Sequence, residues 1–185
     1  MNLQQKAEML GETIFLGVPV KDFEKGGREL LIYLLNAGLN PDSRVVDIGC
    51  GVLRGGYWLI HFLDPGCYCG IEPDTERLAI GTRTILEPEI LEAKRPRFDT
   101  NPHFDTSVFG EKFNFFLAYS VWTHASKSQI QTMLTRSYAT RKTAACFSPP
   151  TCRRAGHTRT IKATSGTGRV TSRTYPAAFI IASDG

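Results

Sequence analysis

Residues 44–56 constrain the fold more than any other part of the sequence, because they join an apolar strand, a glycine loop and the start of a helix. Residues 45–48 are rich in branched side chains, which suits a strand that is covered on both faces of a sheet. Gly49 and Gly51 allow a sharp turn and a close backbone approach that side chains would block. Since residues 57–63 are then typical of a largely apolar helix, the unit is strand, loop and helix, as nucleotide-type ligands require.

Strand and helix patterns alternate along the first 135 residues. Apolar periodicity predicts helices at residues 3–10, 28–37, 57–63, 75–86 and 127–134. Apolar runs predict strands at residues 44–50, 67–71 and 113–120, and residues 104–108 are the candidate for a short third strand. Such alternation predicts an α/β fold with a doubly wound, mostly parallel sheet and a ligand at the carboxyl ends of its strands. Because a doubly wound sheet normally has more strands, we expect it to be incomplete on its C-terminal side.

The composition changes abruptly near residue 135. Residues 1–135 hold 13 Lys plus Arg and 17 Asp plus Glu, whereas residues 136–185 hold 9 and 1. All 16 leucines precede residue 136, and a segment this poor in leucine is not expected to extend the packed core. We therefore predict an N-terminal helical region (residues 1–43), a cofactor-binding core (residues 44–135) and a basic, Ser/Thr-rich tail (residues 136–185).

The tail is also compatible with a shifted reading frame. Residues 142–148 can be encoded so that a frame starting at the third base of the lysine codon gives Asn-Gly-Gly-Val-Phe-Phe, a glycine turn followed by a strand. We therefore expect the tail to be disordered or out of frame, a hypothesis that resequencing the gene around residue 135 tests. Loss of the later strands would leave part of the core uncovered, so the chain as written is expected to bind its cofactor weakly or not at all.

Several classes of protein are not favoured by the sequence. Residues 1–10 are polar and mixed in charge, and no apolar run approaches the roughly 18 residues that span a bilayer, so we expect a soluble, cytoplasmic chain. The five cysteines are odd in number and lack paired C-x-x-C spacing. Neither a disulfide framework nor a metal site is therefore predicted.

The residues around the glycine loop distinguish a dinucleotide site from a site for a cationic cofactor. Dinucleotide sites follow the pattern G-x-G-x-x-G, with a pyrophosphate at the helix N-terminus. Here Arg54 stands in place of the third glycine, and Asp47 precedes the first glycine by two residues. An acid at that position suits a cationic ligand that carries an amino group and a sulfonium better than it suits a pyrophosphate. A dinucleotide-binding oxidoreductase remains the alternative.

Three motifs, in order along the chain, resemble those of the class I S-adenosylmethionine-dependent methyltransferases. Asp47-Ile48-Gly49-Cys50-Gly51 resembles motif I, Gly70-Ile71-Glu72-Pro73 resembles the motif that ends the second strand, and residues 113–124 resemble the fourth-strand motif. The resemblance covers about residues 23–134. It implies a Rossmann-like methyltransferase whose cofactor is S-adenosylmethionine.

The resemblance also implies roles for single residues. Gly49 and Gly51 would pass close to the methionine part of the cofactor, and Asp47 would anchor the network around its amino group. Glu72 would accept hydrogen bonds from both ribose hydroxyls. The implied cofactor-binding residues are Asp47, Gly49, Cys50, Gly51, Glu72 and Ser120, with Asp105 as a further candidate for the adenine amine. Leu53 and Asn114 depart from the family pattern, which often has a glycine and an acid at those two positions.

Methyl transfer from a sulfonium is a direct displacement, so a general base is needed only when the acceptor must lose a proton. His124 is the candidate base, and capping of the following helix is the alternative interpretation. Tyr119 and Trp122 are candidates for an aromatic substrate pocket, against simple packing at a strand end. Arg54 is a candidate for a substrate carboxylate, against a pairing with Glu72 or a solvated arginine at a helix start.

The basic tail leaves one further interpretation, a non-catalytic nucleic-acid-binding protein. It is not favoured, because the tail carries no recognised binding motif and its aromatic residues are sparse for base stacking. We therefore expect a small-molecule acceptor. The sequence does not predict the oligomeric state.

Overall fold

The computed structural model describes residues 1–119, 121 and 125–142, together with the backbone of residues 178–182. It contains a five-stranded sheet in the order β3-β2-β1-β4-β5. The strands are β1 (Val45–Ile48), β2 (Tyr68–Ile71), β3 (Arg97–Asp99), β4 (Phe115–Tyr119) and β5 (Ala178–Ala182). Three candidates from the sequence, Ser120, Trp122 and His124, lie outside the described residues.

The first four strands are parallel, and β1 lies between β2 and β4. Val46 of β1 pairs with Cys69 of β2 on one side and with Phe116 of β4 on the other. β5 pairs with β4 in the antiparallel direction. The sheet is therefore mostly parallel and reverses its strand order beside β1, which confirms the predicted doubly wound fold.

Helices connect the strands on both faces of the sheet. They are α1 (Leu3–Gly11), α2 (Phe23–Asn36), α3 (Arg54–Phe62), α4 (Thr75–Ile80), α5 (Pro88–Lys94) and α6 (Lys127–Thr140). Short 3-10 turns form at Val20–Asp22 and Thr106–Phe109, and a π-helical turn at Gly81–Ile85 continues α4. No helix in the described part of the chain has the length and apolar character needed to cross a membrane.

The third strand does not lie where the sequence predicts it. Residues 104–108 do not form a strand: Asp105 accepts a hydrogen bond from the Ser107 N–H over 3.0 Å and caps a 3-10 turn. The strand that pairs with β2 is Arg97–Asp99, a three-residue edge strand. Phe104 is buried and packs against the sheet from outside it, whereas Val108 is exposed.

The compositional change near residue 135 falls within the described fold. α6 was predicted to end at Leu134 but continues to Thr140, where the Thr140 carbonyl accepts from the Phe113 N–H over 2.9 Å. Farther along, β5 lies at residues 178–182. Two pieces of the basic tail are therefore part of the sheet-and-helix architecture, whereas residues 143–177 lie outside the described residues.

Alternate residues of the strands pack on opposite faces of the sheet. Val45 and Leu117 belong to a large buried cluster with Leu30 of α2 and Leu59 of α3. A smaller cluster on the other face joins residues of the strands to the helix that follows β4; its members include Val46, Ile48, Phe113, Phe116 and Met133. The central strands are thus covered on both sides, as their apolar sequences predict.

Two glycines let α2 and α3 approach each other closely. A Cβ on Gly27 would lie 2.2 Å from the Arg54 carbonyl oxygen and 2.9 Å from Cδ1 of Trp58. On the partner helix, a Cβ on Gly55 would lie 2.5 Å from Cδ2 of Leu30. The backbone of α2 therefore packs directly against the first turn of α3, which follows the glycine loop.

The adjacent glycines of α2 give a matched test of this packing. Gly27→Ala should lower the free energy of unfolding by about 1–3 kcal/mol, since its Cβ meets a backbone carbonyl that has little room to move. At Gly26 an added Cβ would have its nearest neighbours at 3.9 and 4.0 Å, so Gly26→Ala should be neutral or stabilise by up to about 1 kcal/mol. Urea unfolding of both variants measures the difference, and equal stabilities would contradict the close packing.

Candidate functional site

A cavity of about 520 Å³ lies at the carboxyl ends of β1, β2 and β4. The glycine loop, residues 49–52, lines its floor, and Glu72 and Tyr119 line two of its sides. Phe15, Leu16 and Gly17 of the N-terminal segment also line it. The position is the one at which ligands bind in open α/β sheets, where the strand order reverses.

The glycine loop is held in shape by backbone hydrogen bonds to β2. The N–H groups of Gly49 and Cys50 both donate to the Ile71 carbonyl, over 2.7 and 3.1 Å. Gly49 and Gly51 have φ of +72° and +55°, a region that side chains rarely adopt. A Cβ on Gly49 would also lie 2.4 Å from Cγ2 of Val121. Both conformation and space therefore require glycine in the first of the two positions.

Glu72 joins the loop to the end of β2. Its Oε2 accepts from the Gly51 N–H over 2.8 Å, and its Oε1 accepts from the Asp74 N–H over 3.0 Å. The carboxylate is partly exposed and lines the cavity. Two backbone donors thus fix the carboxylate at the edge of the cavity, where it can accept further hydrogen bonds from a bound ligand.

Asp47 lies beneath the loop and not among the residues that line the cavity. Its side chain is 4% exposed, and its Oδ2 accepts from the Tyr68 hydroxyl over 2.8 Å. Burial raises the pKa of Asp47 to about 7, and the Tyr68 hydrogen bond and the nearby Arg54 partly oppose this shift. Asp47 therefore supports the loop from below, and it acts on a ligand through its charge and not through direct contact.

Cys50 lines the cavity as a neutral thiol. Burial, with the negative charges of Asp47 and Glu72 nearby, raises the pKa of Cys50 well above its ordinary value. Since the thiolate is the nucleophilic form, this cysteine is suited to packing against a ligand and not to attacking it.

Arg54 occupies the first position of α3 and extends along the cavity. Its Cζ atom lies 4.4 Å from the centre of the Tyr119 ring. Burial lowers the pKa of Arg54, while Tyr119 and Asp47 act in the opposite direction. The ion pair with Glu72, one of the alternatives for Arg54, is absent from the described residues: no carboxylate oxygen among them lies within 4.0 Å of the guanidinium.

The N-terminal segment completes the cavity through a contact that the sequence did not predict. Arg77 of α4 donates from Nη1 to the Phe15 carbonyl over 2.8 Å. Its Nη2 lies 3.6 Å from the position that a Cβ would take on Gly17 and, likewise, on Gly51. Arg77 therefore links the segment before α2 to the glycine loop. No local motif signals this contact, because its partners are 62 residues apart.

The other candidates differ in how they relate to the cavity. Asp105 is not among the residues that line it: its carboxylate caps a turn and lies 3.5 Å from Nε of Arg136. Ser120 and His124 lie outside the described residues, and their roles stay predictions. Among the described residues, no group of three His, Cys, Asp or Glu side chains is placed to hold a metal ion.

Comparison with known proteins identifies the fold. No family model matches the sequence. No curated protein matches it either. Among solved structures, magnesium protoporphyrin IX methyltransferase (ChlM) from Synechocystis PCC 6803 with bound SAH (S-adenosylhomocysteine) is similar, with 19% identity and a TM-score of 0.51. The glycopeptide N-methyltransferase MtfA complexed with S-adenosylmethionine has 11% identity and a TM-score of 0.52.

These similarities cover most of the described chain. The match to the first structure includes 66% of this chain and 55% of that one, and the match to the second includes 64% and 50%. The chain therefore spans about half the length of the methyltransferases it matches. At these identities the fold is what is shared, and it is the Rossmann-like fold of class I S-adenosylmethionine-dependent methyltransferases, as the three sequence motifs predict.

Proposed function

We propose that this chain binds S-adenosylmethionine in the 520 Å³ cavity and acts in methyl transfer to a small molecule. The observation that carries the proposal is Glu72, whose carboxylate is fixed beside the glycine loop by the N–H groups of Gly51 and Asp74. A carboxylate at the end of the second strand is suited to accept both hydroxyls of a ribose. The shared fold supports the proposal, because two of the similar structures contain S-adenosylmethionine or S-adenosylhomocysteine.

The chain's own residues would bind and orient the cofactor. When bound, the sulfonium supplies a methyl group that passes to an electron pair of the acceptor. Gly49 and Gly51 expose backbone to the ligand, and Glu72 holds the ribose. Tyr119 and Phe15 line the cavity with aromatic surface and help to exclude water from the reacting atoms. Alignment and exclusion of water are the main contributions that such a displacement needs from the protein.

The roles of Asp47, Cys50, Ser120 and His124 belong to the same proposal. Asp47 supports the loop from below and biases the charge of the site toward a cationic ligand. Cys50 contributes neutral contact surface. Ser120 follows β4 directly, and His124 is the candidate general base for an acceptor that must lose a proton.

The small-molecule acceptor is proposed from the cavity and from the similar structures. The names of those two proteins state that one methylates magnesium protoporphyrin IX and the other a glycopeptide. In this chain, Phe15 lines the same cavity as the glycine loop. We assign the acceptor to the part of the cavity at Phe15, which is 73% exposed and offers apolar surface.

The expectation of weak cofactor binding rests on the compositional change after residue 135. The described residues that line the cavity all lie between Phe15 and Gln129, before that change. We therefore propose that the chain as written forms the cofactor site, whatever the tail contributes to the remainder of the fold.

Isothermal titration calorimetry of the full chain with S-adenosylmethionine, S-adenosylhomocysteine and NAD tests the proposal. We expect both adenosyl compounds to bind at least about tenfold more tightly than NAD, since Arg54 replaces the third glycine that a dinucleotide needs. Tighter binding of NAD would establish the dinucleotide alternative. Binding to a random DNA duplex that weakens steeply with salt, without binding of either adenosyl compound, would favour the nucleic-acid alternative.

A further inference from the structure

We propose that Arg54 is a carboxylate-binding residue of the cavity, which deepens the proposed function and rests on it. The proposal starts from the position of the side chain. Arg54 lines the cavity directly after the glycine loop, with Cζ 4.4 Å from the centre of the Tyr119 ring. Its Nη1 lies 3.9 Å from the position that a Cβ would take on Gly26 of α2. The guanidinium is thus held between α2 and the end of β4.

The guanidinium is in place but lacks an acceptor among the described residues. It takes part in none of the ion pairs within 4.0 Å and none of the hydrogen bonds that these residues form. Arg77, the other arginine of the cavity, differs because it donates to the Phe15 carbonyl. Asp47 is near enough to act on the charge of Arg54, but its Oδ2 accepts from Tyr68. A partly buried arginine whose donors meet no acceptor in the described part of the chain is suited to bind an anionic ligand group.

The surroundings favour a carboxylate over a more highly charged anion. The planar guanidinium presents paired N–H donors that match the two oxygens of a carboxylate. Leu53, which precedes it at the helix start, has no side-chain acceptor, so the first N–H groups of α3 add positive potential. Asp47 and Glu72 lie close by and would repel a doubly charged phosphate. A singly charged, planar anion matches the paired donors of the guanidinium and is repelled less by the two nearby carboxylates.

The carboxylate has two possible sources, the amino-acid end of the cofactor and the acceptor. The proposed ribose site is at Glu72, which follows β2. From there the glycine loop leads to Arg54 at the start of α3. The methionine part would follow this direction, so its carboxylate is the source that the geometry favours. An acceptor carboxylate would use the same donors from the Phe15 side of the cavity.

Ligands that differ only in the carboxylate test the first source. We would titrate wild type, Arg54→Gln and Arg54→Lys with S-adenosylmethionine and with decarboxylated S-adenosylmethionine, which keeps the sulfonium and the amine. Wild type should bind the complete cofactor about 10–100-fold more tightly. In Arg54→Gln the two affinities should become equal within about threefold, and Arg54→Lys should retain an intermediate preference. Arg83→Gln is the control, because it removes an exposed arginine outside the cavity and should leave the preference unchanged.

A second arm tests the acceptor as the source. Sodium benzoate and benzamide are titrated into wild type and Arg54→Gln, with and without saturating S-adenosylhomocysteine. Benzoate that binds wild type more tightly than benzamide, with the difference lost in Arg54→Gln, supports an acceptor carboxylate. If Arg54→Gln changes neither ratio while its thermal unfolding matches wild type, the proposal for Arg54 is wrong. Failure of every adenosyl compound to bind wild type would instead contradict the proposed function, and the benzoate arm would still decide the role of Arg54.

Discussion

Replacing Glu72 by glutamine is expected to weaken binding of S-adenosylmethionine by about 100-fold. The carboxylate would accept hydrogen bonds from both ribose hydroxyls, and bonds to a charged acceptor contribute about 1.5–3 kcal/mol each. Glutamine offers only one carbonyl oxygen. Its NH₂ group is a donor, so it cannot accept from the backbone N–H groups that now donate to Glu72, nor from a ribose hydroxyl. Titration calorimetry of wild type and Glu72→Gln measures the loss.

Two controls separate ribose binding from damage to the loop. Glu76→Gln changes an exposed carboxylate four residues farther along, in the first turn of α4, and should bind like wild type. A ligand pair, S-adenosylhomocysteine and its 2′-deoxy analogue, isolates the hydroxyl contact. Wild type should prefer the complete ribose by about tenfold, and Glu72→Gln should lose most of that preference. An affinity of Glu72→Gln within twofold of wild type would remove Glu72 from the site.

The centre of the fold was predictable because its signals are local. Three of residues 45–48, Val45, Val46 and Ile48, are branched and apolar, so they predict a strand covered on both faces, which is what β1 is. The positive φ of Gly49 and Gly51 needs glycine, and the sequence places glycine there. Glu72 was predicted from its place after the second strand, and its hydrogen bond to the Gly51 N–H brings the two motifs together.

The sequence-based predictions of secondary structure are wrong where tertiary contacts override the local preference for helix or strand. β3 has only three residues, Arg97–Asp99, and no apolar run marks it, whereas residues 104–108, the strand candidate, form no strand. The glycine pair of α2 suggests a break before a helix that starts at residue 28. The helix in fact begins at Phe23, which is fully buried, and tolerates Gly27 because α3 packs against it.

The cavity was predictable only in part, because some of its lining depends on distant pairs. The residues around Arg77 and those around Phe15 give no sign of the hydrogen bond between the Arg77 guanidinium and the Phe15 carbonyl, because the two are 62 residues apart. The sequence marks Arg54 as a departure from the dinucleotide pattern and as a candidate for a substrate carboxylate, but its place against Tyr119 depends on the packing of α3 beside β4. Asp47 follows the family pattern in sequence but lies below the loop, where burial dominates its chemistry.

The position of Asp47 predicts an unusual dependence of stability on pH. Its pKa is about 7 in the folded chain, against an ordinary value of 3.8. Between these values the folded state keeps a proton that the unfolded state has lost, so the contribution of Asp47 to stability falls as the pH rises from about 4 to about 7. It levels off above pH 7. The full difference corresponds to about 4 kcal/mol, so ionisation of this carboxylate is a large cost to the folded chain.

Asp47→Asn removes this dependence, since the amide does not ionise and its oxygen can still accept from Tyr68. Relative to wild type, the variant should gain about 2–3 kcal/mol in free energy of unfolding between pH 5 and pH 8. Urea unfolding at both pH values measures this gain, with Asp64→Asn as the control because that residue is exposed to water. A variant whose difference from wild type does not change with pH would contradict the burial argument. S-adenosylmethionine, which carries a sulfonium and an amine, should reduce the gain at pH 8, because a cationic ligand favours the ionised Asp47 and stabilises wild type more than the variant.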